Sequence, residues 1–118
     1  MKLIPRVFRK AVTTAATRER LTIANLHVPW VRIQAEDDNT GVVFVGDSQV
    51  SSALGIELKV PAADAAGSTI QSVPAIELSA KNYGMGNAFI SLSDIWLDVA
   101  TSADGVICMY LERVEELE

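Results

Sequence analysis

Ser48 invites a chemical reading more than any other residue of this chain, because it follows Gly46-Asp47 at the end of an apolar run, Val42 to Val45. A serine nucleophile needs a histidine base within hydrogen-bond reach and donors for an oxyanion. The chain has a single histidine, His27, upstream of Ser48, so Asp47-Ser48 reads as a turn in which the carboxylate accepts an N–H two residues on. Asp94 and Asp98 could flank a sugar bond, but at i and i+4 on a strand they stand roughly 13 Å apart, beyond the usual glycosidase separations. One cysteine and one histidine cannot complete a zinc site. The acidic run Glu36 to Asn39 lacks the alternating ligands and distal glutamate of a calcium loop. KNYGMGN, Lys81 to Asn87, lacks the third glycine and flanking elements of a dinucleotide fingerprint, and no glycine-rich loop with lysine could cradle phosphate. The residues predict a protein without catalysis, cofactor or metal.

The elements that carry these residues read as strands. In WVRIQAE, Val31, Ile33 and Ala35 point one way and Trp30, Arg32, Gln34 and Glu36 the other, a half-buried strand. Val42 to Val45 is apolar on both faces and is stopped by Gly46-Asp47-Ser48. EDDNTG, before it, predicts a hairpin connection. Ile56, Leu58 and Val60 alternate with Glu57 and Lys59 until Pro61, and PAADAAGS is a small-residue loop. TIQSVPAIELSA reads as extended chain interrupted at Pro74, with Ile76 and Leu78 inward. In SDIWLDVA, Ile95, Leu97 and Val99 oppose Trp96 and Asp98, and after the TSADG turn VICMYLERV is apolar on both faces as far as Tyr110 and Leu111. Between Arg6 and Ile23 the pattern predicts extended chain with a turn near Ala16 to Glu19. Seven to eight strands without a convincing amphipathic helix predict an all-β fold, a single jelly-roll-like β-sandwich. The divisions expected are a basic arm with the first strands at 1–28, the sandwich at 29–113 and an acidic tail at 114–118.

A chain of 118 residues makes one domain. Its lone Cys108, within GVICMYL, reads as a buried thiol. MKLIPRVFRKAV is broken by Pro5, Arg6, Arg9 and Lys10 before a signal-peptide core can form, and no run approaches a membrane span, so a soluble protein made inside a cell is expected. The net charge of −5 hides an asymmetry. Residues 1–20 hold Lys2, Arg6, Arg9, Lys10, Arg18 and Arg20 against Glu19, a balance of +5, leaving −10 for the remainder. Those bases are scattered among apolar and threonine positions, with no nucleic-acid-binding motif beside them. An acidic protein neighbour fits them better.

Two resemblances are carried by particular stretches. FVGDSQV is similar to the nucleophile block of GDS-type lipases and esterases, but that family's Gly-x-Asn-Asp and Asp-x-x-His blocks are absent, and its α/β chain is longer. AVTTAATR at 11–18, NTGVVFVGDS at 39–48, GIEL at 55–58, LSDIW at 92–96 and DGVICMYL at 104–111, in that order, resemble small virion proteins of tailed bacteriophages. The KNYGMGN loop and the acidic tail depart from that layout. This second resemblance implies a β-sandwich structural subunit of the virion, assembled in the host cytoplasm.

Composition points in the same direction. Apolar residues reach 49% and charged residues only 21%, with two strands apolar on both faces, more than one thin core requires. The expectation is a decoration or cement protein, a small symmetric homo-oligomer with a trimer favoured, that binds the major capsid protein or another virion protein. Arg6, Arg9 and Lys10 are the expected anchors, with Tyr83 and Met85 as further contacts. The alternative is a fibre- or tail-associated module that binds a receptor or glycan on Trp30 or Trp96.

Overall fold

A computed structural model describes residues 2–60, 74–80 and 89–114, and these form antiparallel strands with no α-helix among them. In chain order the strands are β1 (Lys2–Ala11), β2 (Glu19–Arg20), β3 (His27–Val28), β4 (Trp30–Ala35), β5 (Val43–Gly46), β6 (Ile56–Leu58), β7 (Ala75–Ser79), β8 (Ile90–Ser91), β9 (Trp96–Val99) and β10 (Gly105–Val114). One four-stranded sheet runs β1-β10-β4-β7, a second runs β2-β9-β5-β6, and β3 pairs β8. The chain is all-β, as the alternation predicts; among the described residues seven strands exceed two residues, and β2, β3 and β8 are two-residue pairings too short to leave a periodic pattern.

Alternation decides what each sheet buries. In β4, Val31, Ile33 and Ala35 are buried and the residues between them are not, as read from the sequence. The register sets Cys108 opposite Ile33 and Val106 opposite Ala35, so the buried row crosses from β4 to β10. In the second sheet Val43 pairs with both Val99 and Leu58, and Val45 with Leu97. These residues of both sheets belong to one hydrophobic cluster, completed by Val12, Leu21, Val28, Leu92 and Ile95. Each fully buried aliphatic side chain contributes about 1.5–3 kcal/mol. Ile56, on the same side of β6 as the buried Leu58, is 55% exposed, because β6 is an edge strand and only Val45 stands beside it.

The second face of β5 is hidden by the chain itself. Phe44 and Asp98 lie opposite each other, away from the common cluster, yet are only 6% and 4% exposed. The loop after β5 folds back over Phe44 and carries Val50, itself buried. A Cβ on Gly55 would meet Val50 Cγ2 at 2.8 Å and Phe44 Cβ at 3.2 Å, so only a glycine lets the loop close this tightly. Asp98, which opposes Leu97 and Val99 as the alternation predicts, is buried on this face and accepts the Val99 N–H at 2.8 Å.

EDDNTG is not a hairpin. It carries the chain from β4 in one sheet to β5 in the other, and a polar clasp fixes it to the turn before β10. Asp104 accepts the Gly41 N–H at 2.8 Å and the Thr40 N–H at 3.1 Å, while Asn39 accepts from Gly105 N at 3.0 Å and donates to Gly105 O at 2.8 Å. Gly105 also runs against β1: a Cβ there would stand 2.2 Å from the Lys10 carbonyl oxygen. Two further turns hold non-glycine residues at positive φ, Ala16 at 64° and Ala103 at 74°. Each is the third residue of a turn closed by a backbone hydrogen bond, Thr17 to Thr14 and Asp104 to Thr101, where glycine is usual.

Candidate interaction face

Paired residues of neighbouring strands share a face, so the register defines the outer side of β1-β10-β4-β7. There Val7 stands beside Met109 and Pro5 beside Leu111. Met109 continues to Arg32 and Glu77, and Ile107 to Gln34 and Ala75. Leu3 and Val7 are 47% and 64% exposed, and among the described residues none of the outer-face residues of these strands belongs to the common core cluster. Leu3, Pro29, Trp30, Ser79, Met109 and Leu111 line an apolar groove of about 390 Å³. Val7, Arg32, Gln34, Ile107 and Met109 line a second hollow of about 180 Å³, which shares Met109 with the first. The double-sided apolar run of β10 therefore has a physical meaning: Val106 and Cys108 fill the core, while Ile107, Met109 and Leu111 form a half-buried stripe on the outer face.

Arg6, Arg9 and Lys10 are not brought together. Alternation puts Arg9 on the outer face with its side chain 74% exposed, 4.0 Å from Glu36. Arg6 and Lys10 point to the opposite side. Arg6 is 2.6 Å from Glu112, whose hydrogen bond and charge raise the guanidinium pKa. Lys10 is 2.8 Å from Glu19 and so ties the edge of one sheet to the edge of the other. That hydrogen bond, with the Thr13 N–H donated to the same carboxylate at 2.8 Å, lowers the Glu19 pKa. Tyr83 and Met85 lie outside the described residues. Trp30 was read from the sequence as outward; Leu3, Val7, Met109 and Leu111 were not singled out, although their alternation was there to see.

Ser48 lies at a more polar hollow of about 530 Å³, with Ala16, Thr17, Arg18, Gln49 and Trp96. Trp96 lies opposite Gly46, which leaves its neighbourhood open, and the Arg20 guanidinium carbon is 5.2 Å from the indole centroid. His27 is placed in β3 and stacks on Phe89 with centroids 4.3 Å apart. Asp47 is used within its turn, accepting the Gln49 N–H at 2.9 Å as the sequence predicts. Among the described residues no three His, Cys, Asp or Glu side chains form a metal-binding group, and no helix is long and apolar enough to cross a membrane. Burial pushes the Cys108 thiol up to about 12.

No family model, curated protein or solved structure matches this chain.

Proposed function

We propose that the protein is a non-catalytic structural subunit of a tailed-bacteriophage particle. In this reading its two four-stranded sheets pack as one jelly-roll-like β-sandwich, and the outer face of β1-β10-β4-β7 seats on the major capsid protein or another virion protein, as a decoration or cement subunit does. The observation that carries it is the apolar stripe of exposed Leu3 and Val7 with half-buried Met109 and Leu111, beside half-buried Trp30, which the fold leaves partly uncovered among the described residues. Arg9, Arg32 and Glu77 supply a polar border, and interfaces join an apolar centre to such a rim. The motifs behind the phage resemblance support the non-catalytic part. Asn39, Asp47, Gly55 and Asp104-Gly105 are each engaged in closing turns.

The test is the copy number in purified particles, measured by quantitative mass spectrometry and by immunogold labelling. Hundreds of copies over the head are expected; absence from the particles would overturn the proposal. The hollow beside Trp96 favours a second reading, a fibre- or tail-associated module for a host glycan or receptor, with the indole as platform and Arg18, Ser48 and Gln49 as polar contacts. A few copies at the tail, with glycan binding lost in Trp96→Ala, would select it.

A further inference from the structure

The open edge of β1 offers a pairing site whose geometry is set by the rest of its sheet. Gly105 accepts the Glu36 N–H and donates to Asn39, so its peptide groups point towards the β4 side. Strand alternation then turns Val106 towards β1, where its partner is Lys10. It follows that Lys2, Ile4, Arg6, Phe8 and Lys10 direct their peptide groups at β10. Leu3, Pro5, Val7, Arg9 and Ala11 direct theirs outward. Pro5 therefore sits where its missing N–H removes no bond of the ladder with β10. Among the described residues no strand pairs with this outer side. The opening ends just past Ala11, where Glu19 accepts the Thr13 N–H.

We infer that β1 pairs with β1 of a second copy, antiparallel, about a two-fold axis through Val7. Val7 is the midpoint of the open stretch from Leu3 to Ala11, so this register uses all of it. Val7 exchanges both bonds with its counterpart, and Leu3 does so with Ala11. Pro5 meets Arg9 and accepts one bond, leaving one unmade on each side of the axis. Charge selects the same register: Arg6 comes opposite Phe8, Lys10 opposite Ile4 and Arg9 opposite Pro5, so no two bases face each other. An axis through Arg9 would set arginine against arginine, which is destabilising; an axis through Pro5 would shorten the pairing and oppose two prolines. The bases are moreover already matched within each chain, Arg6 by Glu112, Arg9 by Glu36 and Lys10 by Glu19. Pairing removes the uncovered edge that an isolated sheet would leave. It also buries Val7, the more exposed of the two β1 side chains, and joins the two apolar stripes on one side of an eight-stranded sheet. Antiparallel self-pairing closes at two copies, in contrast to the trimer expected from the sequence. This inference does not depend on the particle reading, since it needs only β1 and its neighbours.

Sedimentation and amide exchange on the purified full-length chain test it together. The expected species is twice the 12.7 kDa chain. The Val7 and Arg9 amides should exchange about fifteenfold more slowly at a total chain concentration a hundred times the dissociation constant, where about 7% of the chains remain monomeric, than in the dilute monomer. The Phe8 and Lys10 amides, bonded to β10, should be protected at every concentration. Val7→Pro, which withdraws only an outward donor, and Val7→Lys, which opposes two charges on the axis, should each give a monomer with unchanged β-sheet circular dichroism. If either variant unfolds, the wild-type exchange pattern still decides. A monomer at all concentrations, or any oligomer whose Val7 and Arg9 amides exchange freely, would overturn the inference; the second result would point to face-to-face stacking.

Discussion

Removing the Asp104 carboxylate tests whether the clasp between the two turns holds the ends of the sheets together. Its oxygens take the Gly41 N–H at 2.8 Å and the Thr40 N–H at 3.1 and 3.2 Å, and the residue is 7% exposed. A hydrogen bond to a charged group contributes about 1.5–3 kcal/mol. Thr40 is exposed, so water replaces much of its bond in Asp104→Ala, while the half-buried Gly41 N–H keeps most of its penalty. Against this, the variant no longer desolvates a carboxylate. The expected net loss is about 2–3 kcal/mol, or roughly 8–12 °C in Tm for a domain of this size. Asn39→Ala removes two bonds to Gly105 from the same clasp, with a loss of about 2 kcal/mol. Because both residues fasten the same pair of turns, the double variant should fall short of the sum by at least about 0.5 kcal/mol. Urea denaturation monitored by circular dichroism measures all three, with the m-value unchanged. An Asp104→Ala protein within about 0.5 kcal/mol of wild type, the range of neutral surface changes, would refute the clasp as a source of stability.

Three further outcomes are expected. Gly105→Ala drives a methyl group to 2.2 Å from the Lys10 oxygen and 2.7 Å from the Ala11 Cα, both backbone, and should destabilise by about 3 kcal/mol or more, read as a collapse of soluble yield or of the urea midpoint. Glu19 has a folded pKa below its reference value of 4.5, so its contribution is fully present above that pH and is lost as the pH falls through the lowered value. The stability gap between wild type and Glu19→Gln should therefore be constant near neutrality and close in acid, as followed by urea titrations from pH 7 to pH 3. Cys108, fully buried with its thiol raised to about 12, should react with a disulfide reagent at pH 8 only as the chain unfolds, so its labelling should track the circular-dichroism transition.

What could be read before the structure was whatever one strand records about itself. The period of two in β4 and β9 announced their buried rows, and the unbroken apolar runs of β5 and β10 announced strands covered, or needing cover, on both sides. What hides the second face of β5 could not be read there, because it depends on Val50 returning across Gly55, a contact made by the folded loop. The same limit turned EDDNTG into a supposed hairpin: turn-forming residues mark a reversal, but its destination is set by Asp104 and Gly105, more than sixty positions away. The basic segment shows the limit at the site itself. Six bases in twenty residues looked like one charged arm, yet a strand places successive residues on opposite sides, so Arg9 separates from Arg6 and Lys10, and three different carboxylates meet them, Glu19 from the same segment and Glu36 and Glu112 from further along the chain. Once those charges are matched, β1 has other surface left to use: an apolar row on one side and a line of outward peptide groups along its edge. Both are properties of the paired strand and neither belongs to the isolated segment, which is why attraction between charges was the natural reading of the chain and burial is the natural reading of the fold.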